Sequence, residues 1–506
     1  MLLKLNVGNL FEPISGRRWD QAEISSQVTR RIARFKKNGL ARGDRVFLPF
    51  GNRLEFFAEL LAIWRLGGCA IPIDSRLTAF EVENLARVAT PRLAVVDEET
   101  SANIIRVLTA SGARIIQTTE TGTDESVDSL FCLESDALML FTSGSTGNPK
   151  GVLHTHRSLR ARWMSLRDHL GVVAFKKTLC MLPTHFGHGL ICNSLFPWLA
   201  GQDLYITQPF KPEIVMRLGT LIDENGITFV SSVPAIWRLA LKLSRPPQRG
   251  TLQRVHCGSA PLSAHMWEEI RRWTGTRNIC NAYGITETGS WVAGLVDADV
   301  PAQDGLIGQG WGAIIQIVHT NDTAQLFNPE LSCPAGESGF VWLNTPALMK
   351  GYFQRDDLTQ QAVVAGWFLT GDIGFIDDHG RLVLLGRERD EINKGGMKVF
   401  PSDIDAVVER FEHATDVCTF ALDDPLYGQN VGMAVVLANQ SDEVIRALHQ
   451  WMKVHLAEPK MPVRWWVIDS IPRTSRGKLN RDAVKAAYQN QPPLDLPGIL
   501  GKGVIS

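Results

Sequence analysis

The chain of 506 residues is long enough for two or more domains, and its 44% hydrophobic and 21% charged residues are the balance of an ordinary globular protein with a substantial core. With 52 basic against 53 acidic residues the net charge is −1, which excludes the global field that draws a protein to nucleic acid or to an anionic membrane. Its eight cysteines, Cys69, Cys132, Cys180, Cys192, Cys257, Cys280, Cys333 and Cys418, form no CxxC pair, so they read as reduced thiols of a cytoplasmic protein, with no disulfide framework and no zinc site.

In chain order, the N-terminal MLLKLNVGNLFEP is interrupted by Asn6, Asn9 and Glu12 and makes a poor signal peptide. No window offers the ~18 apolar residues of a membrane span, and the best, Phe56 to Ile73, carries Glu59 and Arg65, so a soluble chain without integral membrane association is expected. From about residue 40 to 345, short apolar runs (Val46 to Pro49, Leu93 to Val96, Ile227 to Ser231, Arg254 to His256) alternate with helical stretches such as Arg53 to Arg65. That alternation predicts an α/β domain with largely parallel sheets. Ala137 to Phe141 reads as a buried strand and His156 to His169 as a helix, whose charges between Arg157 and Arg167 read as a solvated face. Towards the C-terminus, Pro401 to Phe411 places Ile404, Val407, Val408 and Phe411 on one helical face, and strand-like runs follow at Val417 to Leu422 and Val431 to Leu437. These predict a small α+β unit. The tail after Asn490 is rich in Pro and Gly and is expected to dock loosely.

Between the strand ending at Phe141 and the helix starting at His156 lies FTSGSTGNPKG, Phe141 to Gly151. Such a cluster of turn formers can be only a loop. At a strand-to-helix junction it can also cradle an anion, because glycine N–H groups approach without Cβ interference, hydroxyls add donors and a lysine supplies charge. It is not a Walker loop, since Pro149 stands where that pattern needs glycine.

The order of residues in this loop resembles the signature of the adenylate-forming superfamily, which includes acyl-CoA synthetases, peptide-synthetase adenylation domains and luciferases. Further segments resemble its other motifs in the same order: Gly43 to Asp74, GSAPL (Gly258 to Leu262), YGITET (Tyr283 to Thr288), GWFLTGDIG (Gly366 to Gly374), Gly386 to Asp405 and PRTSRGKLNR (Pro472 to Arg481). The resemblance spans residues 17 to 485. It implies a large N-terminal domain, 1–387, holding AMP and the acyl pocket, and a small mobile C-terminal lid, 388–506. It also implies ATP-dependent, Mg2+-dependent activation of a small carboxylic acid to an acyl-adenylate, with transfer to the thiol of coenzyme A.

The same resemblance gives residues roles. Thr142, Ser143, Gly144, Ser145, Thr146, Gly147 and Lys150 match the loop on the β- and γ-phosphates. Gly258, Ser259 and Ala260 match the adenine-contacting turn, with Tyr283 and Gly284 also against the nucleotide, and Thr286 matches an α-phosphate contact. Glu287 matches the Mg2+-associated glutamate, a hard oxygen ligand suited to that ion. Asp372 matches the acceptor of both ribose hydroxyls, a task suited to a carboxylate, and Arg387 matches a second nucleotide contact. Lys478 matches the lysine that bridges carboxylate and α-phosphate. His185, Phe186 and His188 match the acyl side of the site, with Phe186 as an aromatic gate and His188 in the pocket wall. Trp291 falls where a large side chain shortens the pocket, or else packs as plain core. Arg389 falls at the hinge, where the family usually holds Asp or Lys, and Gly395 and Gly396 suit backbone approach to a pantetheine arm.

On their residues alone, His185 with His188 and His154 with His156 are weak metal signals, having no carboxylate or cysteine companion in sequence. Two alternatives to the ligase stay open: an adenylating enzyme that loads a carrier-protein phosphopantetheine, and a non-catalytic nucleotide-binding homologue. No GxSxG elbow supports a hydrolase.

Overall fold

The computed structural model describes residues 7–120, 122, 132–143, 149–209, 211–319, 332–394, 397–425, 427–474 and 478–501. Three sheets organise them. In the first, of seven strands, Arg45–Leu48 lies parallel between Cys69–Pro72 and Leu93–Val96, with Arg114–Gln117 and Asp136–Ser143 extending it in the same sense. Pro149–Thr155 and Gly351–Tyr352 then close the far edge antiparallel.

The second sheet has fourteen strands. It is parallel from Leu10–Glu12 through Asp203–Ile206, Lys177–Cys180, Phe229–Ser232 and Arg254–Gly258 to Ile279–Ile285. From there it is antiparallel, through Ser290–Gly294, Leu306–Gly310, Leu382–Arg387, Trp367–Ile376, Gly339–Asn344 and Ile314–Val318. The parallel character expected from the sequence thus belongs to the part whose strands are joined by crossover helices. After residue 279 neighbouring strands run antiparallel, a pairing that needs no crossover helix.

The helix Leu54–Arg65 is buried almost all round between the two large sheets. Its Glu59, fully buried, is paired with Arg31 (Nε to Oε1 2.9 Å) and Arg34 of the helix Gln21–Lys37, so the charge that breaks the apolar run is neutralised inside the protein. Trp64 Nε1 donates to the Ala137 carbonyl (2.6 Å) and ties this helix to the strand before the glycine-rich loop. Among the described residues no helix is long and apolar enough to cross a membrane, and the cysteines are free.

The third sheet is built from Ile392–Lys394, Met397–Val399, Ala414–Asp424, Gly428–Leu437 and Arg464–Val467, with the helices Pro401–Glu409 and Asp442–His455 sharing its core. Two features differ from expectation. The tail docks firmly: the Leu494 amide donates to the Trp465 carbonyl (2.7 Å), Arg446 Nη1 donates to the Ile499 carbonyl (3.1 Å), and Ile499 joins the core, because its apolar positions outweigh its Pro and Gly content. The helix His156–Leu170 is not a uniformly solvated face either, since Arg162 on it is wholly buried.

Candidate functional site

The glycine-rich loop joins two antiparallel strands rather than a strand to a helix. Asp136–Ser143 pairs with Pro149–Thr155, Thr142 opposite Lys150, and the helix begins only at His156. Pro149 is tolerated because it opens its strand. Gly144, Ser145, Thr146 and Gly147 lie outside the described residues, as do Gly395 and Gly396. The loop's lysine is visible: Lys150 Nζ stands 5.3 Å from the ring centre of Tyr352.

Tyr352 is a residue that sequence reasoning missed. Its strand, Gly351–Tyr352, pairs with the one carrying Lys150, and its phenol donates to Glu287 Oε1 (2.8 Å). Burial, reinforced by the Glu287 charge and hydrogen bond, raises the phenol's pKa well above the ordinary range, so it remains a donor at any working pH. Lys150 and Glu287 are therefore joined through one side chain.

Glu287 sits in a 3-10 turn, Thr286–Thr288, between the strands Ile279–Ile285 and Ser290–Gly294. Gly284 is required there, because a Cβ at that position would lie 1.8 Å from the Ser290 carbonyl oxygen. Tyr283, one residue earlier, donates its phenol to Asp372 Oδ2, and Arg387 Nε donates to Oδ1 at 2.9 Å. Asp372 is 4% exposed, and its charge raises the Arg387 pKa. A carboxylate offers about four lone-pair sites, so two remain for hydroxyl donors.

The strand Arg254–Gly258 delivers the GSAPL turn. A Cβ on Gly258 would lie 2.3 Å from the Ala282 carbonyl oxygen, and Ser259 adopts φ +66°, with Ala260 following. Ser259 Oγ meets His188 Nδ1 at 2.9 Å, and Ser231 Oγ meets His188 Nε2 at 2.6 Å. Burial, then the charge of Lys478, pulls the His188 pKa down to about 3, so the ring is neutral. His188 opens the π-helix His188–Leu195.

Phe186 packs on His188 (ring centres 5.9 Å apart) and lies 5.6 Å beneath Lys478 Nζ. Trp291, 1% exposed, meets His188 edge-on at 5.4 Å and His256 at 4.5 Å. His185 lies to one side, its Nε2 3.5 Å from Asp74 Oδ2. No group of three or more His, Cys, Asp or Glu able to hold a metal occurs among the described residues. A single half-buried carboxylate, Glu287, still fits an ion that keeps most of its coordination for water and phosphate.

Lys478 is carried by the small unit. Its amide donates to Thr474 Oγ1 (3.1 Å), and Arg473 in the same loop is paired with Asp416 (2.7 Å). Asp416 in turn pairs with Arg238 of the large unit (3.2 Å). Arg389 lies in a 3-10 turn, Glu388–Asp390, between the last strand of the large sheet and the first of the small one, with its Nε 3.5 Å from Asp390 Oδ1.

The family model of the AMP-binding enzyme matches residues 11–353, and that of the AMP-binding enzyme C-terminal domain matches residues 403–478. The chain belongs to the AMP-binding enzyme family. Among its relatives, a probable CoA ligase of Humulus lupulus is 28% identical, covering 90% of this chain and 88% of that one. A 2-succinylbenzoate–CoA ligase of Bacillus licheniformis is 27% identical, covering 91% and 93%. In fold, this AMP-binding enzyme is similar to ATP-bound MatB from Rhodopseudomonas palustris, with a TM-score of 0.85 at 23% identity over 96% of this chain and 97% of that one.

Proposed function

We propose that this AMP-binding enzyme is an acid:CoA ligase that works through an acyl-adenylate. A carboxylate oxygen attacks the α-phosphorus of ATP, the bond to pyrophosphate breaks, and the acyl group then passes from AMP to the sulfur of coenzyme A, whose thiol proton is lost. The observation that carries this reading is the meeting of Lys478, Phe186 and His188 at one point, with Lys478 Nζ 5.6 Å from the Phe186 ring centre. A cation beside a dry, neutral aromatic wall can hold a substrate carboxylate in line with a phosphate. The relatives of known name, which act as CoA ligases on 2-succinylbenzoate, long-chain fatty acids and oxalate, support the reaction class.

In this reading the large domain is 1–387 and the lid 388–506, with Arg389 at the hinge. Lys150, with Thr142 and the hydroxyls and glycines of its loop, holds the β- and γ-phosphates. Ser259 and its neighbours hold adenine, and Asp372 and Arg387 hold the ribose. Glu287 would hold Mg2+, which supplies charge neutralisation on the phosphates, and Thr286 lies against the α-phosphate. The acid is small, because Trp291 and His256 fill the space behind His188. His188 is neutral and offers no anionic partner to an ammonium group, which argues against α-amino acids.

A cytoplasmic location is the reading that its free cysteines support. The test is acid-dependent ATP–pyrophosphate exchange over a panel of carboxylic acids. Exchange with short acids is expected, and no exchange with any of them overturns the reading. A carrier-protein phosphopantetheine as acceptor is the alternative outcome when thioester formation is compared between coenzyme A and a holo carrier protein.

A further inference from the structure

Three consecutive main-chain carbonyls of the Thr286–Thr288 turn are held from behind. His154 Nε2 donates to that of Thr286 (2.8 Å), the Met349 amide to that of Glu287 (2.7 Å), and Arg162 to that of Thr288 from Nη2 (3.0 Å) and Nε (3.3 Å). His154 and Arg162 are both fully buried, and the roles assigned above use neither. A carbonyl only accepts, so the ring proton of His154 is on Nε2, and Nδ1 is left unprotonated 3.3 Å from Ser158 Oγ, whose own proton goes to the Thr155 carbonyl (3.0 Å). Burial, with the Arg162 charge adding to it, brings the His154 pKa down to about 4 against the opposing pull of the Thr286 hydrogen bond, so the donor is a neutral imidazole.

Arg162 is stranger. Its other donors go to the Trp311 carbonyl (2.8 Å) and to Thr345 Oγ1 (3.3 Å), and among the described residues it has no carboxylate partner. Burial pulls its pKa only to about 10, so it stays charged at neutral pH. A buried cation without a counter-ion is costly in isolation. Here it stands against the turn that carries Glu287. His154 also shares its strand with Lys150 four residues earlier, so side chains of the same face reach the turn at one end and the phosphate loop at the other.

We propose that His154 and Arg162 are positioning residues for adenylation: they lock the Thr286–Glu287–Thr288 turn by its carbonyls, and Arg162 places an uncompensated positive charge behind the phosphate site. The inference rests on reading that turn as nucleotide-facing. A loosened turn would let Glu287 and the Thr286 hydroxyl drift from working geometry, where displacements on the order of 1 Å cost as much as ~10²-fold.

The test uses the full-length enzyme and the variants H154L, H154Q, R162K and E287Q. Readouts are the Mg2+ concentration giving half-maximal ATP–pyrophosphate exchange, the dissociation constant of Mg·ATP measured without acid, and the melting temperature. H154L is expected to raise the half-maximal Mg2+ concentration and to weaken Mg·ATP binding by about tenfold, with KM for the acid unchanged. H154Q, whose amide keeps an N–H, restores both to within about threefold, and R162K, which keeps the charge but loses the fork, falls between. Folded H154L and R162K proteins that match wild type while E287Q is impaired overturn the proposal. If E287Q itself leaves the Mg2+ dependence unchanged, the nucleotide reading of the turn fails and the proposal falls with it. In the wild-type protein, nitrogen NMR at pH 7, with the signal assigned through H154Q, is expected to show His154 as the Nε2–H tautomer, shifting when Mg2+ and ATP are added. An Nδ1–H tautomer or an unmoved signal overturns the clamp whatever the variants do.

Discussion

Tyr352→Phe removes a single oxygen and isolates the link between Lys150 and Glu287. The lost bond, 2.8 Å from phenol to Glu287 Oε1, is one to a charged acceptor, a class worth about 1.5–3 kcal/mol. Glu287 is half-buried, so water replaces part of the bond and the lower end applies, about 1.5 kcal/mol or roughly tenfold in rate. The ring remains beneath Lys150, so a cation–π contribution of about 0.5–1 kcal/mol is kept. The expected result is therefore an approximately tenfold fall in kcat/KM for Mg·ATP in acid-dependent pyrophosphate exchange, with a melting temperature close to wild type. Tyr352→Leu, which also removes the ring, should fall further by a few-fold. A Tyr352→Phe enzyme with wild-type kinetics across a Mg2+ titration would refute the idea that this phenol orients Glu287.

Lys478→Ala should lower adenylation by about 10²- to 10³-fold, the scale of losing one preorganised charge stabiliser, while thioester formation from supplied acyl-adenylate survives. Equal loss of both half-reactions would contradict its assigned role. Trp291→Gly should shift preference towards longer acids by about 0.8 kcal/mol per newly buried methylene, on top of a stability loss of about 3–5 kcal/mol. An unchanged ranking from acetic to dodecanoic acid would make Trp291 core only. Acid should destabilise the fold through buried histidines, because burial lowers His154 and His156 to about 4 and His188 to about 3 from an ordinary 6.5. Each takes up a proton on unfolding in that window, so stability is full above about pH 6.5 and falls on acidification by about 1.4 kcal/mol per pH unit per histidine. Urea midpoints measured from pH 7 to pH 5 should show this slope, and His156→Asn should reduce it by one histidine's share. A flat profile would mean that these rings are not buried neutral.

Much of the candidate site was legible because its residues fall in contiguous motifs: Glu287 in YGITET, Asp372 in TGD, Lys478 in RGK. What it hid depends on contacts across long separations. Tyr352 reaches Glu287 across 65 residues, and His188 is held by Ser231 and Ser259, 43 and 71 residues away. No local period marks such pairs. The strand Pro149–Thr155 was obscured because Pro149 and Gly151 read as breakers, although a proline at the first position of a strand forfeits little. Charge along a helix usually marks a solvated face, which predicts an exposed Arg162; its burial follows from carbonyls that converge on it only in the folded chain. The antiparallel half of the large sheet escaped notice because a short apolar run looks the same in either sense.

The most direct measurement is product identity. Purified enzyme incubated with a short carboxylic acid, ATP, Mg2+ and coenzyme A should yield AMP, pyrophosphate and acyl-CoA in equal amounts, and without coenzyme A it should still form pyrophosphate with an acyl-adenylate bound to the protein. ADP and inorganic phosphate as the products, or acyl-CoA formed with no AMP, would contradict an acyl-adenylate route.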